Sequence, residues 1–427
     1  MASSIRATFI LLLTLTALLP GCKKNPSYYN PRTNPETAAL FQNYDDKFLE
    51  LLAVAEEELG KQVFRYDEID GYLLPKSIRI EGTHYEIGYT LGTISREALL
   101  PVHRIVGEDK ARLNREIRKM YARIYPQYLD FVKGVADAFG YEESELDLRQ
   151  VEYLFLSRLI RQIFQYDKFR NLTAFSNENH NQCSLVAAGD RKTGEMLVGR
   201  NFDGASYRPH FVVFTDTGSA YKTLGSACYS IYHWISDGMN DQGLCAGVST
   251  NGHPEKYNRR ESYYPQEPAI QVIHLVRVAL ETCATVEEAV ALCTSVRVWF
   301  PREVNHILFA DKTGAAAVVE FDEARQAVVF RNTSPSGKNR PMVMTNTAWQ
   351  EGEAYLKAHC WRYEKACADL RRGLSGEDKM KTIIESIRIH YPGARTLWTS
   401  VYNLNTLTMD IAFREEKFAS YYHYTLQ

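Results

Sequence analysis

A cysteine at the head of an apolar run, answered by a return segment ending in Gly-Arg-Asn-Phe-Asp, constrains this chain more than any other feature. Cys183-Ser184-Leu185-Val186-Ala187-Ala188-Gly189 reads as a strand, and Gly189-Asp190-Arg191-Lys192-Thr193-Gly194 as a turn. The residues from Glu195 to Val198 then lead into Gly199-Arg200-Asn201-Phe202-Asp203. Two strands across a Gly/Asp turn predict a hairpin. A hairpin brings its far end back to its start, which puts Arg200 and Asp203 beside Cys183. Thiol, guanidinium and carboxylate are the parts of an activated nucleophile: the cation favours thiolate, and the carboxylate orients a proton carrier. The competing reading of Cys183 alone is a core cysteine, since free Cys packs as a small hydrophobe.

The patterning differs on the two sides of this hairpin. Before it, 38–59 is amphipathic with helical spacing, and 76–81 is strand-like. In Gly82-Thr83-His84-Tyr85-Glu86-Ile87-Gly88-Tyr89-Thr90-Leu91-Gly92 the run from Tyr85 reads as a helix whose glycines, one turn apart, permit close packing. Helical periodicity continues from about Arg96 to Gln165 with a break at Gly140, and 108–123 reads as a solvated amphipathic face. The stretch 169–182 is Asn-rich and loop-like, and it runs directly into Cys183. After the hairpin, strands are expected over 183–188, 196–200, 211–215, 244–249, 306–310, 315–321, 327–330, 342–345, 400–405 and 408–412. Helices are expected near 268–282, 285–296, 352–374 and 378–390, with Thr285 and Glu288 at capping-box spacing. Asp237-Gly238-Met239-Asn240 reads as a structural turn between strands, and Asn346 as either a site residue or a helix cap.

A loop ending in a cysteine that opens a strand suggests a device. If the Gln182–Cys183 bond is cut, the cysteine carries both a thiol and a free α-amine. With a pKa of about 7.7–8.0, that amine serves as a general base at neutral pH. No C-x-x-C pair occurs among the eight cysteines, and no histidine stands at zinc-finger spacing, so neither a metal nor a cofactor is expected. With 50 basic against 52 acidic side chains the balance gives no reason to expect nucleic acid as a partner. At the N-terminus, Arg6, the apolar 7–18 and Leu19-Pro20-Gly21-Cys22 resemble a bacterial lipoprotein signal, with Cys22 the acylated residue. The Asn/Pro-rich residues that follow read as a tether.

Four motifs in order resemble the N-terminal-nucleophile cysteine hydrolases. The nearest family is acyl-coenzyme A:6-aminopenicillanic acid acyltransferase-like, with choloylglycine hydrolases and penicillin V acylases as relatives. The motifs are the segment from Gly82 to Gly92, then Cys183-Ser184 with Gly199 to Asp203, then 237–244, and finally Met344-Thr345-Asn346 followed by Trp361-Arg362-Tyr363. The resemblance implies an α+β fold, an αββα four-layer sandwich of two stacked antiparallel sheets between helical layers. It implies Cys183 as nucleophile, Asp203 holding the freed amine, Arg200 stabilising thiolate, and Asn346 steadying the amine or the tetrahedral intermediate. Asn251 is placed as the oxyanion donor and Arg362 as a further active-site arginine. Where the family's acyltransferase precursor has glycine before the cysteine, this chain has Gln182.

The expected organisation is a signal segment over 1–22, a tether over 23–37, a mostly helical precursor segment over 38–182 and a catalytic chain over 183–427. The expected activity is cleavage or transfer at linear amides through an acyl-thioester. The partners are a small N-acyl amide substrate and, for a transferase, acyl-coenzyme A or an amine acceptor. The protein is expected at the bacterial cell envelope, lipid-anchored at the membrane and facing the periplasm or the outer surface. Two other readings stand beside this one: an unprocessed cysteine hydrolase with His233 or His306 as base, and a non-catalytic amphiphile-binding lipoprotein of the same fold.

Overall fold

Hydrophobic alternation along the strands sorts the chain into layers. A computed structural model describes residues 35–68, 75–153, 183–204, 210–228, 232–251, 267–300, 304–333, 339–391, 394–413 and 420–426. Cys22, most of the expected tether and Gln182 lie outside the described residues. The first part carries α1 (Pro35–Leu59), β1 (Phe64–Glu68), β2 (Pro75–Glu81), α2 (His84–Glu97), α3 (Glu108–Ile124), α4 (Gln127–Phe139) and α5 (Leu148–Tyr153). There follow β3 (Cys183–Gly189), β4 (Met196–Gly204), β5 (His210–Asp216), β6 (Thr223–Ala227), β7 (Asp237–Asn240), β8 (Leu244–Thr250) and β9 (Ile270–Gln271). Next come α6 (Val272–Thr282), α7 (Val286–Thr294), β10 (Val298–Trp299), β11 (Asn305–Asp311), β12 (Ala316–Phe321) and β13 (Ala327–Arg331). The chain ends with β14 (Met342–Met344), α8 (Glu353–His359), α9 (Trp361–Arg371), α10 (Glu377–Ser386), β15 (His390–Tyr391), β16 (Ala394–Asn403), β17 (Thr408–Phe413) and β18 (Tyr422–Thr425).

Of the two large sheets one is nine-stranded, in the order β1-β2-β5-β6-β7-β8-β11-β12-β13, and the other, seven-stranded, runs β14-β3-β4-β16-β17-β18 with β15 on β16; β9 and β10 form a separate parallel pair. Side chains alternate between the two faces of a strand, and the core divides accordingly. Leu185, Ala187, Val198 and Phe202 of the second sheet meet Val212, Met239, Cys245, Leu308 and Val318 of the first. The opposite face of the first sheet, with Phe211, Val213, Ala246, Ile307 and Val319, is covered by Ile87, Leu91, Val132, Leu275 and Val276 from the helices. The opposite face of the second, with Val186, Ala188 and Val401, lies under Leu356, Tyr363, Met380 and Ile384. Helices, sheet, sheet, helices: this is an αββα sandwich.

The helix beginning at His84 carries the glycine spacing read from the sequence, and the structure uses it. A Cβ on Gly134 of α4 would lie 2.1 Å from the Tyr85 carbonyl oxygen, and one on Gly88 would lie 2.0 Å from that of Phe131. The two backbones touch there, which only glycine permits. Thr83 caps α2 with a full capping box to Glu86.

Several expectations change. The first sheet is not wholly antiparallel, because β2 runs parallel to β5; helices and the β3–β4 hairpin intervene, and parallel neighbours need such a long crossover. The segment 237–240 is a central strand rather than a turn. The helix expected over 352–374 is two helices, with Cys360 extended between them. The tether's last residues already belong to α1, which starts at Pro35, a residue suited to a first helical turn. Thr285 caps α7 by accepting from Glu288 N at 3.2 Å, but the Glu288 carboxylate reaches back to Ala284 N rather than to Thr285.

Candidate active site

β3 and β4 pair antiparallel with Cys183 opposite Phe202 and Leu185 opposite Arg200. Cross-strand partners share a face, so Arg200 lies on the inter-sheet face with Cys183. Its Nη2 donates to Cys183 Sγ at 3.4 Å and to the Val248 carbonyl at 3.1 Å. Its Nη1 donates to Asp237 Oδ1 at 2.5 Å and to the Ser236 carbonyl. The guanidinium also stands 4.8 Å over the Phe202 ring, which stacks on Trp398. Burial works against the Arg200 charge, yet Asp237 and the neighbouring Cys183 outweigh it and raise its pKa. Asp237 further accepts from Ser226 Oγ, Ser400 Oγ and Tyr402 Oη, at 2.6, 2.6 and 2.7 Å. The sequence reading assigned Asp237 no part in the site; the Asp-Gly-Met-Asn motif was its signal.

Asp203 stands three residues beyond Arg200, an odd spacing that turns it to the opposite face of β4, toward the outer helices. It accepts from Thr396 Oγ1 at 2.6 Å and from Arg362 Nη1 at 3.4 Å. Full burial is the main reason its carboxyl is pushed up to about 6, against the opposing pull of Arg362 and Thr396. The link back to the cysteine is Arg362, whose Nη1 also donates to the Cys183 carbonyl at 2.8 Å and to Ser184 Oγ at 2.9 Å. Arg362 Nη2 donates to Asn346 Oδ1 at 3.0 Å.

The Cys183 nitrogen donates to Asn346 Oδ1 at 2.7 Å. The partner found for that nitrogen is thus Asn346, one of the two residues that the family resemblance set at the amine; Asp203, the other, is linked to the cysteine through Arg362. Asn346 Nδ2 donates to Ser249 Oγ at 3.1 Å and to the Thr250 carbonyl at 2.8 Å, which orients its amide oxygen toward the cysteine. It caps no helix; the next helical turn begins after Ala348. Asn251 directly follows Thr250, is buried, and has a side-chain oxygen without a partner among the described residues. No hydrogen bond among the described residues joins Asn251 to the cysteine.

The two histidines weighed as bases lie elsewhere. His233 packs among Tyr128, Phe131, Tyr232 and His274 on the helical side of the first sheet, and burial holds its pKa well down. His306 is occupied at both ring nitrogens, by Glu320 and by the Thr345 carbonyl. Among the described residues no group of His, Cys, Asp and Glu is arranged to hold a metal.

A buried cysteine heading an inner strand of an αββα sandwich, its nitrogen and sulfur each met by a polar side chain, is the arrangement of the N-terminal-nucleophile hydrolases. Residues 190–417 match the model of the acyl-coenzyme A:6-aminopenicillanic acid acyl-transferase family, and the chain belongs to that family. It is therefore an amide-cleaving or acyl-transferring enzyme. Among solved structures, conjugated bile acid hydrolase from Clostridium perfringens is similar at 16% identity and a TM-score of 0.47, covering 57% of this chain and 92% of that one. Penicillin V acylase from Agrobacterium tumefaciens is similar at 15% identity and a TM-score of 0.43, covering 57% and 86%. The Caenorhabditis elegans ortholog of N-acylethanolamine-hydrolyzing acid amidase is similar at 18% identity and a TM-score of 0.40, covering 52% and 93%. No curated protein matches the sequence.

Proposed function

We propose that this protein is an exported, self-processing cysteine amidase or acyltransferase of linear amides, with Cys183 as nucleophile. One observation carries the reading: the Cys183 nitrogen rests on Asn346 at 2.7 Å while its sulfur accepts from Arg200 at 3.4 Å, with no imidazole among these contacts. A cysteine so held needs another base, and cleavage after Gln182 supplies one as its own α-amine. The thiol attacks the Gln182 carbonyl, collapse breaks the Gln182–Cys183 C–N bond and frees the α-amine, and water then cleaves the resulting thioester to leave a Gln182 carboxylate and the Cys183 thiol. In turnover that amine takes the thiol proton and the thiolate adds to the amide carbonyl. Collapse breaks the C–N bond, and the ammonium returns its proton to the leaving amine. Water or an acceptor amine then attacks the acyl-thioester.

In this scheme Arg200 stabilises thiolate, and Asn346 steadies the amine. Arg362 and Asp203 fix the backbone around Cys183. Asn251, one residue past the carbonyl that holds Asn346, is the oxyanion donor. The catalytic chain begins at Cys183, and the helical segment before it is the precursor part, tied to the cell envelope by lipid at Cys22. The substrate is a small N-acyl amide. Incubation with N-acyl amides followed by acid quench tests the chemistry. The wild type should carry an acyl mass on the peptide containing Cys183, and Cys183→Ala should carry none and turn over nothing. An active Cys183→Ala protein refutes the proposal.

A further inference from the structure

We propose that His306 and Glu320 form a charged clamp that holds the turn carrying Asn346, and so set the amide that meets the Cys183 nitrogen. They are positioning residues, and the inference rests on Cys183 being the nucleophile. Ser249 on β8 pairs with His306 on β11. One step beyond the Ile307–Val319 pair, Glu320 of β12 stands on the other side of His306. Ser249, His306 and Glu320 thus form a row across three strands, on the face that carries Cys245, Leu308 and Val318 toward the second sheet.

The row grips the turn from Thr345 to Gln350 on both sides of Asn346. His306 Nε2 meets the Thr345 carbonyl at 2.7 Å. Ser249 Oγ accepts from Asn346 Nδ2 at 3.1 Å. Beyond Asn346, Glu320 accepts from Trp349 N at 2.7 Å on one oxygen and from Gln350 N at 3.1 Å on the other. Glu320 also meets His306 Nδ1 at 2.9 Å.

The contacts favour one charge state. A carbonyl only accepts, so His306 Nε2 must donate to Thr345. Backbone N–H groups only donate, so both Glu320 oxygens accept, as a carboxylate does. Two backbone donors favour the ionised carboxylate; against it His306 Nδ1 donates as well, and a ring that donates from both nitrogens is an imidazolium. Despite burial, which works the other way, the contacts to His306 and to the two backbone amides keep the Glu320 carboxyl below its ordinary value. Both side chains are fully buried, and unpaired burial of either charge is costly. The pair therefore favours one placement of the turn, and Asn346 inherits it.

The test compares His306→Ala, His306→Gln and Glu320→Gln with wild type and Cys183→Ala. Folding is followed by thermal melting, and acylation of Cys183 by a p-nitrophenyl acyl ester is followed as a burst. Loss of a transition-state donor costs about 10²–10³ in rate, and a displaced Asn346 should cost less, about 10- to 100-fold, in the acylation rate. The KM for the ester should stay within about threefold, as expected for a group that leaves ground-state binding intact. His306→Gln, whose amide nitrogen still donates to the Thr345 carbonyl, should recover about tenfold of the loss seen in His306→Ala. Ring-nitrogen NMR of the folded wild type, assigned against His306→Gln, should show His306 doubly protonated at neutral pH. Folded variants that acylate at the wild-type rate, a Gln variant no better than Ala, or a neutral His306 ring would each overturn the clamp. An unacylated wild type, or acylation of the same protein in Cys183→Ala, would instead overturn the nucleophile on which it rests.

Discussion

Asp237→Asn separates the charge of the Arg200 partner from its shape. Arg200 Nη1 lies 2.5 Å from Asp237 and its Nη2 lies 3.4 Å from the Cys183 sulfur. With the width of a guanidinium between them, carboxylate and sulfur are within about 8 Å. At an effective dielectric constant of about 20, unit charges at that distance interact by about 2 kcal/mol. That corresponds to about 1.5 pH units. The Asn variant keeps an acceptor for Arg200, and the Ser400 and Tyr402 hydroxyls can rotate to accept from its amide nitrogen. Arg200 therefore stays in place with its charge no longer offset, and thiolate at Cys183 becomes easier to form. Iodoacetamide alkylation of Cys183, followed by mass across a pH series, should move toward acid by about 1 to 1.5 pH units. The same variant should lose about 3 kcal/mol in urea unfolding, the low end for breaking a buried ion pair, because three hydroxyl partners remain. An alkylation profile that stays put, or moves toward alkali, refutes the reasoning: Arg200 would then owe its position, rather than its balance of charge, to Asp237.

Further predictions concern Asp203 and the helix contact. The Asp203 carboxyl is raised to about 6 from 3.8 by burial, so between those values the folded protein holds a proton that the unfolded chain has released. Its contribution to stability is present in full below about pH 4 and is lost as pH rises through about 6, by up to about 3 kcal/mol. Activity runs the opposite way, since the ionised carboxylate is the form that pairs with Arg362; kcat/KM, which already falls as the α-amine protonates, should steepen by about a further tenfold per pH unit below about pH 6, and a slope unchanged until pH 4 would contradict this. Gly134→Ala places a methyl 2.1 Å from the Tyr85 carbonyl oxygen, so α2 and α4 must separate. Thermal unfolding should register a loss of about 3 kcal/mol, at the upper end for overpacking, and an unchanged melting temperature would show that the helices yield freely.

What could be read before folding follows the range of the contacts. The β3–β4 hairpin is local, and turn chemistry with alternation was enough to bring Arg200 to Cys183. The same alternation, counted one step further, separates Arg200 from Asp203 onto opposite faces, a consequence of their three-residue spacing. The glycines of α2 announced a close neighbour without naming it, because α4 lies some forty residues on in the chain. Glu320 and Thr396 were not readable as site residues, and the motif that holds Asp237 did not say what its carboxylate touches. Each reaches the site only through strand order, which pairs β7 with β8, β11 with β12 and β4 with β16. No local pattern encodes those neighbours. Cys360, buried between two helices, broke what periodicity alone joined into one.

Intact mass of the purified protein, wild type beside Cys183→Ala, tests the central claim most directly. The account predicts two chains for the wild type, the larger being the 245 residues from Cys183 to Gln427, and a single uncut chain for the variant. A wild type that remains one chain while turning over an N-acyl amide would contradict it, because Cys183 would then work without a free amine.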